Sequence, residues 1–243
     1  MLFSRSRQIH FVGILCAFAL AGCGGGHSNS GPGYATFTWS IYDIEDPSYT
    51  VPLGCAAVGG GSVVVTLVDS AGTAYTQDPV SCAVGQMSTS NVPAGSYTVG
   101  FDLYGDPAIY GNSTTLLDSF DATGTFHVVG GANDFRSQFA PFIVQSFTVR
   151  WAFNSGSALS LCGLAGGSSV ELAFNVGGPT ITSSFPCTAG TGVSYAIPFG
   201  PTSAQWNLYL VNSAGTDVQA IPGGSVALPS TTNVNLPTQY FTY

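Results

Sequence analysis

The chain repeats itself, and the repeat sets what it can fold into. Around Trp39, the residues Ala35, Phe37, Trp39 and Ile41 alternate with Thr36, Thr38 and Ser40; around Trp151, Phe147, Val149, Trp151 and Phe153 alternate with Thr148, Arg150 and Ala152. A period of two puts one set of side chains on a single face, so each run reads as a strand laid against a core. Cys55 and Cys162 follow, and eight residues after each cysteine another alternating set begins: Val63, Val65 and Leu67 in one copy, Val170, Leu172 and Phe174 in the other. A second cysteine lies 27 residues after Cys55, at Cys82, and 25 residues after Cys162, at Cys187. Tyr97, Val99, Phe101 and Leu103 match Trp206, Leu208 and Leu210, and terminal strands near Phe126 and Val128, and near Val234 and Leu236, close the copies.

Strands divided by Pro/Gly turns, with almost no helical periodicity, predict an all-β chain of two tandem antiparallel β-sandwiches of roughly 100 residues each. The boundaries expected are 34–130 and 145–243. The segment 131–144 reads as a connector, entered through the turn-like Gly130-Gly131-Ala132-Asn133-Asp134 and packing through Phe135, Phe139, Pro141 and Phe142. A transmembrane barrel also uses alternating strands, but paired cysteines in long loops argue against it.

The first 22 residues read differently. Arg5 and Arg7 precede an apolar run from Phe11 to Leu20, and small residues follow at Ala21 and Gly22. That is the layout of a secretory signal, too short to span a bilayer. Leu20-Ala21-Gly22-Cys23 resembles the lipobox of bacterial lipoproteins. The resemblance implies cleavage before Cys23, lipidation of its sulfur, and tethering to a membrane by acyl chains such as palmitate. Residues 23–33 then form a Gly/Ser-type tether reaching on the order of 15–20 Å. In such lipoproteins an aspartate after the cysteine tends to mark inner-membrane retention; Gly24 stands there, so the resemblance implies the outer membrane, on its periplasmic or cell-surface face.

Charge narrows the partners. The chain has no lysine, and of its four arginines only Arg136 and Arg150 lie beyond Cys23, against twelve carboxylates, a formal charge of −10. Without a basic patch, neither nucleic acid nor anionic headgroups are expected as partners, so attachment must come from the lipid.

The order of Trp strand, cysteine, Val-rich strand, second cysteine and the Gly95-Ser96-Tyr97-Thr98-Val99 strand resembles transthyretin-like, or carboxypeptidase-regulatory-like, sandwich domains of bacterial surface lipoproteins. The resemblance covers nearly all of the mature chain and implies an Ig-like architecture used as a spacer, stalk or binding module. It transfers no functional residue.

Four cysteines beyond the anchor allow three pairings. The repeat selects Cys55 with Cys82 and Cys162 with Cys187, because a unit that folds alone must satisfy itself. Export to an oxidising compartment permits both bonds, and the separations lack the close pairs of a zinc site. Groups for catalysis are few. His27 lies in the tether; His127 alternates with Phe126 and Val128, so it should face solvent, and no Gly-x-Ser-x-Gly elbow accompanies it. No enzyme and no cofactor are expected.

Asp43, Glu45 and Asp46 cluster after the Trp39 strand, with Asp102 and Asp106 in reach of another loop. Calcium favours several converging oxygens of this kind, but the spacing matches neither an EF-hand nor a nonapeptide repeat. Paired carboxylates also serve glycosidases, which need a cleft that a small sandwich scarcely offers. Tyr42, Tyr49, Tyr75, Tyr104 and Tyr110 fall at expected strand ends or loops, where aromatic rings on one face bind sugars or proteins. The leading expectation is therefore a non-enzymatic, lipid-anchored structural, adhesion or assembly module. The alternative is a carbohydrate- or ligand-binding module, calcium-dependent if the Asp43 region holds the ion. The sequence leaves a protein or glycan partner and the oligomeric state open.

Overall fold

The computed structural model describes residues 31–46, 48–154 and 161–242. The signal segment, Cys23, His27 and most of the tether lie outside the described residues. The first domain contains β1 (Gly33–Asp43), β2 (Gly60–Asp69), β3 (Ala74–Thr76), β4 (Val80–Ser81), β5 (Gln86–Ser88), β6 (Gly95–Gly105), a short α1 (Pro107–Tyr110), β7 (Leu116–Asp121), β8 (Phe126–Val128), β9 (Gly131–Asp134) and β10 (Ala140–Val144). The second contains β11 (Phe147–Phe153), β12 (Ser169–Asn175), β13 (Ile181–Pro186), β14 (Thr191–Val193), β15 (Ser203–Val211), β16 (Asp217–Ala227), β17 (Val234–Asn235) and β18 (Gln239–Phe241).

Each domain is a sandwich. In the first, β10-β1-β5 with β9 faces β3-β2-β6-β7 with β4 and β8; in the second, β14-β11-β17 with β18 faces β13-β12-β15-β16. The period-two pattern explains the packing. Ala35, Phe37, Trp39 and Ile41 point into one core, and Phe147, Val149, Trp151 and Phe153 into the other. The registers repeat as well, with Val63 opposite Leu103 in the first domain and Val170 opposite Leu210 in the second.

The disulfides Cys55–Cys82 and Cys162–Cys187 both form, with Cα–Cα distances of 5.8 and 5.9 Å. The second cysteine of each pair opens a 3-10 turn that clasps the tryptophan. Trp39 donates its backbone N–H to Gly85 O at 3.0 Å and its indole N–H to Cys82 O at 3.0 Å. Trp151 does the same to Gly190 O at 3.0 Å and Cys187 O at 2.8 Å. Gly60 stands where the first disulfide crosses, and a Cβ there would sit 2.7 Å from Cys82 Sγ.

Three expectations need correction. The small sheets are mixed and not wholly antiparallel: β1 pairs in parallel with β9 and β10, and β11 with β17 and β18. The stretch 131–144, expected as a connector, holds β9 and β10; only Gln145 and Ser146 separate β10 from β11. Phe126–Val128 is not the counterpart of Val234–Leu236, because β8 pairs with β6 whereas β17 pairs with β11. β9 and β10 leave little strand signal in the sequence because they are short and carry Gly131, Asn133 and Pro141, residues that read as turn formers.

Two measurements check the clasp. The double substitution Cys55→Ala with Cys82→Ala should lower the unfolding free energy by about 3.5 kcal/mol on the chain-entropy account. Trp39→Phe retains a large ring but removes the shorter of the two hydrogen bonds to the buried Cys82 carbonyl, leaving it the 3.3 Å bond from Gly85 N, and should cost about 1 kcal/mol. Denaturant titration reads both.

Candidate functional site

The acidic loop after β1 does not gather a cation. Asp46 folds back on its own loop, accepting the amides of Thr50 at 2.8 Å and Val51 at 2.9 Å. Asp43 accepts the Glu45 amide at 2.8 Å. Asp106 caps α1 by accepting Ala108 N at 2.9 Å, and Asp102 accepts the Ser119 hydroxyl at 2.7 Å. Among the described residues, no group of three or more His, Cys, Asp or Glu side chains is placed to hold a metal. The carboxylates converge on backbone and side-chain donors because the loop must satisfy its own amides.

Asp43 and Glu45 instead reach the second domain. Asn233 donates its side-chain amide to Asp43 Oδ1 at 2.8 Å and its backbone N–H to Glu45 Oε1 at 3.2 Å. Its Oδ1 meanwhile accepts Ser146 N at 2.9 Å. One asparagine thus ties the loop of the first domain to the link between the two. Gln145, the other link residue, donates to Pro229 O at 2.6 Å and also to Thr232 O, and its own carbonyl accepts Ile197 N at 2.7 Å.

A second tie runs along Tyr195–Phe199. Ala196 N donates to Val58 O at 3.0 Å and Phe199 N to Leu116 O at 2.9 Å. Between them sits Tyr110, fully buried, with its hydroxyl 2.8 Å from Ala196 O and 3.1 Å from Val58 O. Burial, reinforced by the neighbouring Tyr195, pushes the Tyr110 hydroxyl above its ordinary pKa, so it remains a neutral donor. Gly105 makes room for the ring; a Cβ there would lie 2.3 Å from it. Buried side chains of both domains form one continuous apolar cluster.

The expected aromatic platform is not present on the surface. Tyr42 and Tyr110 are buried, and Tyr49, Tyr75 and Tyr104 are half-buried. Tyr42 packs on Tyr49 and Tyr75 on Tyr97, with centroids 5.2 and 5.7 Å apart. His127 is exposed on β8 and exchanges a 2.9 Å hydrogen bond with Ser96 Oγ. A cleft of about 270 Å³ opens at the junction between Leu116, Val176, Pro179, Pro198 and Phe199. A shallow groove of about 610 Å³ crosses the outer face of β2, β6 and β7, lined by Thr66, Thr98, Asp102, Ser119 and Asp121. Neither contains a histidine, cysteine or arginine.

The feature these residues build is a joint between the two domains. Its members Tyr110, Asn233 and Gln145 carry no motif. One sequence signal for it does exist: Ile197-Pro198 lies at the same offset from Cys187 as Val92-Pro93 does from Cys82.

No protein-family model matches the chain, and no curated protein does. Among solved structures it is similar to a putative adhesin from Bacteroides ovatus, with 14% identity over 86% of this chain and 89% of that one and a TM-score of 0.33. It is also similar to a leucine-rich repeat protein from Bacteroides thetaiotaomicron, with 14% identity over 88% of this chain and a TM-score of 0.26; there it spans 27% of the other chain's length. Superpositions this loose bear no argument about function.

Tyr110→Phe and Asn233→Ala should each destabilise the protein by about 1–3 kcal/mol, because each leaves buried polar partners unmet; denaturant titration checks this. Asp46 makes a separate prediction. The Val51 amide, opposed by partial desolvation and helped by Thr50, holds its carboxyl below the ordinary 3.8. The loop's hold is therefore complete above that value and is lost as pH falls through the lowered pKa. Amide proton shifts of Thr50 and Val51 should titrate together with a midpoint below 3.8.

Proposed function

We propose that the chain is an exported, lipid-anchored envelope protein that acts without catalysis, as a rigid structural module carrying its second domain at a set attitude to the membrane. The observation that carries this reading is the joint: a two-residue link hydrogen-bonded through backbone and side chains to the second domain, with Asn233 carrying the tie on to Asp43 and Glu45 of the first. A flexible tether between binding modules would leave such a link solvated and Gly/Ser-rich. Here the link is Gln145-Ser146, and Asn233, Tyr110 and Tyr195–Phe199 brace it.

The geometry suits a spacer. β1 starts at Gly33 and reaches the joint at Asp43, where β10 ends and β11 begins before running outward to Phe153. The tether from Cys23 therefore enters at the end of the first domain remote from the joint, and the second domain faces away from it. Each domain extends roughly 35 Å along its longest strands. The outer membrane is the destination that Gly24 favours. Carbohydrate binding is not adopted, since the tyrosines that suggested it pack inward or against one another.

Metabolic labelling with radioactive palmitate tests the anchor. The wild-type chain should take up label and sediment with membranes, and Cys23→Ser should do neither. A wild-type chain that stays unlabelled and soluble would overturn the reading.

A further inference from the structure

The two repeats carry the same loop ahead of their second strand, and among the described residues only one of the two is covered. In the first repeat, Gly59 has φ 69° and donates to Ala56 O at 3.2 Å, while Gly60 N donates to Cys55 O at 2.8 Å. In the second, Gly166 has φ 74° and donates to Gly163 O at 3.1 Å, while Gly167 N donates to Cys162 O at 2.9 Å. A left-handed glycine and a disulfide cysteine in identical positions fix the same backbone shape twice. The residue before the left-handed glycine is Val58 in one copy and Ala165 in the other.

Their surroundings differ. The Val58 carbonyl accepts Ala196 N, and Val58 and Gly59 are buried beneath the second domain. The Ala165 carbonyl has no donor among the described residues, Gly166 is exposed, and Leu164 beside them is 73% exposed, more than any other large apolar side chain among the described residues. The outer end of the second domain therefore presents the acceptor that the first domain uses in the joint, with an uncovered leucine next to it.

We propose that this outer loop, Leu164 to Ser168, docks an extended segment of another polypeptide. The chemistry of that segment is what Tyr195 and Ala196 bring to the equivalent loop inside the chain: an aromatic ring against the left-handed glycine, 3.2 Å from where a Cβ on Gly59 would stand and matched by open space at Gly166, followed by a free backbone N–H for the Ala165 carbonyl. A second copy of this chain is a poorer occupant. Its own counterpart segment, Ser90–Ala94, has Asn91 at φ 39° and Val92 fully buried, and lies at the end where the tether enters. Each copy also carries a formal charge of −10 beyond Cys23, so copies repel.

The outer site has no equivalent of the Tyr110 clasp. Where the first repeat inserts α1, the second closes β15 to β16 by a tight turn in which Asn212 Oδ1 accepts Ala214 N and Thr216 N. A partner there is held by one acceptor and apolar cover, so the contact exchanges where the internal joint does not. The proposal takes from the spacer reading only the direction in which this end faces; loss of palmitate labelling would leave the binding result standing, and the reverse also holds.

The test uses the exported chain with Cys23→Ser, ¹⁵N-labelled, and a capped synthetic peptide of the sequence Ser194–Pro201. The peptide should shift the amides of Leu164 to Ser168 and leave those near Val58 unmoved. Methylating the peptide nitrogen that matches Ala196 N should weaken binding about fivefold to tenfold, the loss of one hydrogen bond. Leu164→Asp, at an exposed position, should weaken it by a similar factor with melting unchanged. No shift at about 1 mM peptide, indifference to the N-methyl group, shifts confined to the joint, or self-association that occupies the loop without peptide would each overturn the proposal.

Discussion

In each domain one tryptophan gives both of its N–H groups to a single 3-10 turn, and much else in the molecule hangs on that arrangement. The turn held by Trp39 begins at Cys82, and the disulfide carries its position across to Cys55, in the loop that starts the opposite sheet. That loop in turn presents the Val58 carbonyl and the Gly59 bend on which the second domain rests. Trp151, Cys187 and Cys162 repeat the relay. An indole hydrogen bond in one sheet thus sets the shape of an end surface. Bonds of this kind are worth little individually but are costly to leave unmade when buried, which makes the relay stiff.

The joint is held without ion pairing. Among the described residues the salt bridge is Arg136 with Asp134, local to one exposed turn, where the guanidinium's hydrogen bonds pull the Asp134 carboxyl down to about 2. With no lysine and a large excess of carboxylates, the chain meets its cross-domain acceptors with amides and a phenol: Asn233 for Asp43 and Glu45, Ala196 for Val58, Tyr110 for Ala196. Neutral donors of this sort are insensitive to salt screening, unlike surface ion pairs. The joint should therefore keep its geometry over a wide range of ionic strength.

The sequence disclosed the cores and not the contacts between them. Alternation about Trp39 and Trp151 located the buried faces, and equal offsets from Cys55 and Cys162 located the facing strands and the disulfides, because side-chain periodicity and covalent closure are properties of short local stretches. The parallel return of β9 and β10 beside β1 left no such trace, since its residues are few and half of them form turns elsewhere. The acidic loop misled for a related reason. Asp43 and Glu45 look like cation ligands until Asn233, roughly 190 residues away in sequence, supplies the donors they accept. Tyr110 faces inward without a trace in the sequence, because α1 has one turn and no periodicity to betray its buried side.

The most direct test of the account is ¹⁵N relaxation of the backbone amides of the chain from residue 23 onward, with Cys23→Ser. If the joint makes one body of the two sandwiches, a single rotational diffusion tensor will fit residues 33–144 and 147–241 together, at low and high salt alike. Two separate tensors with shorter correlation times, one for each sandwich, would show that the domains tumble independently and would contradict the account.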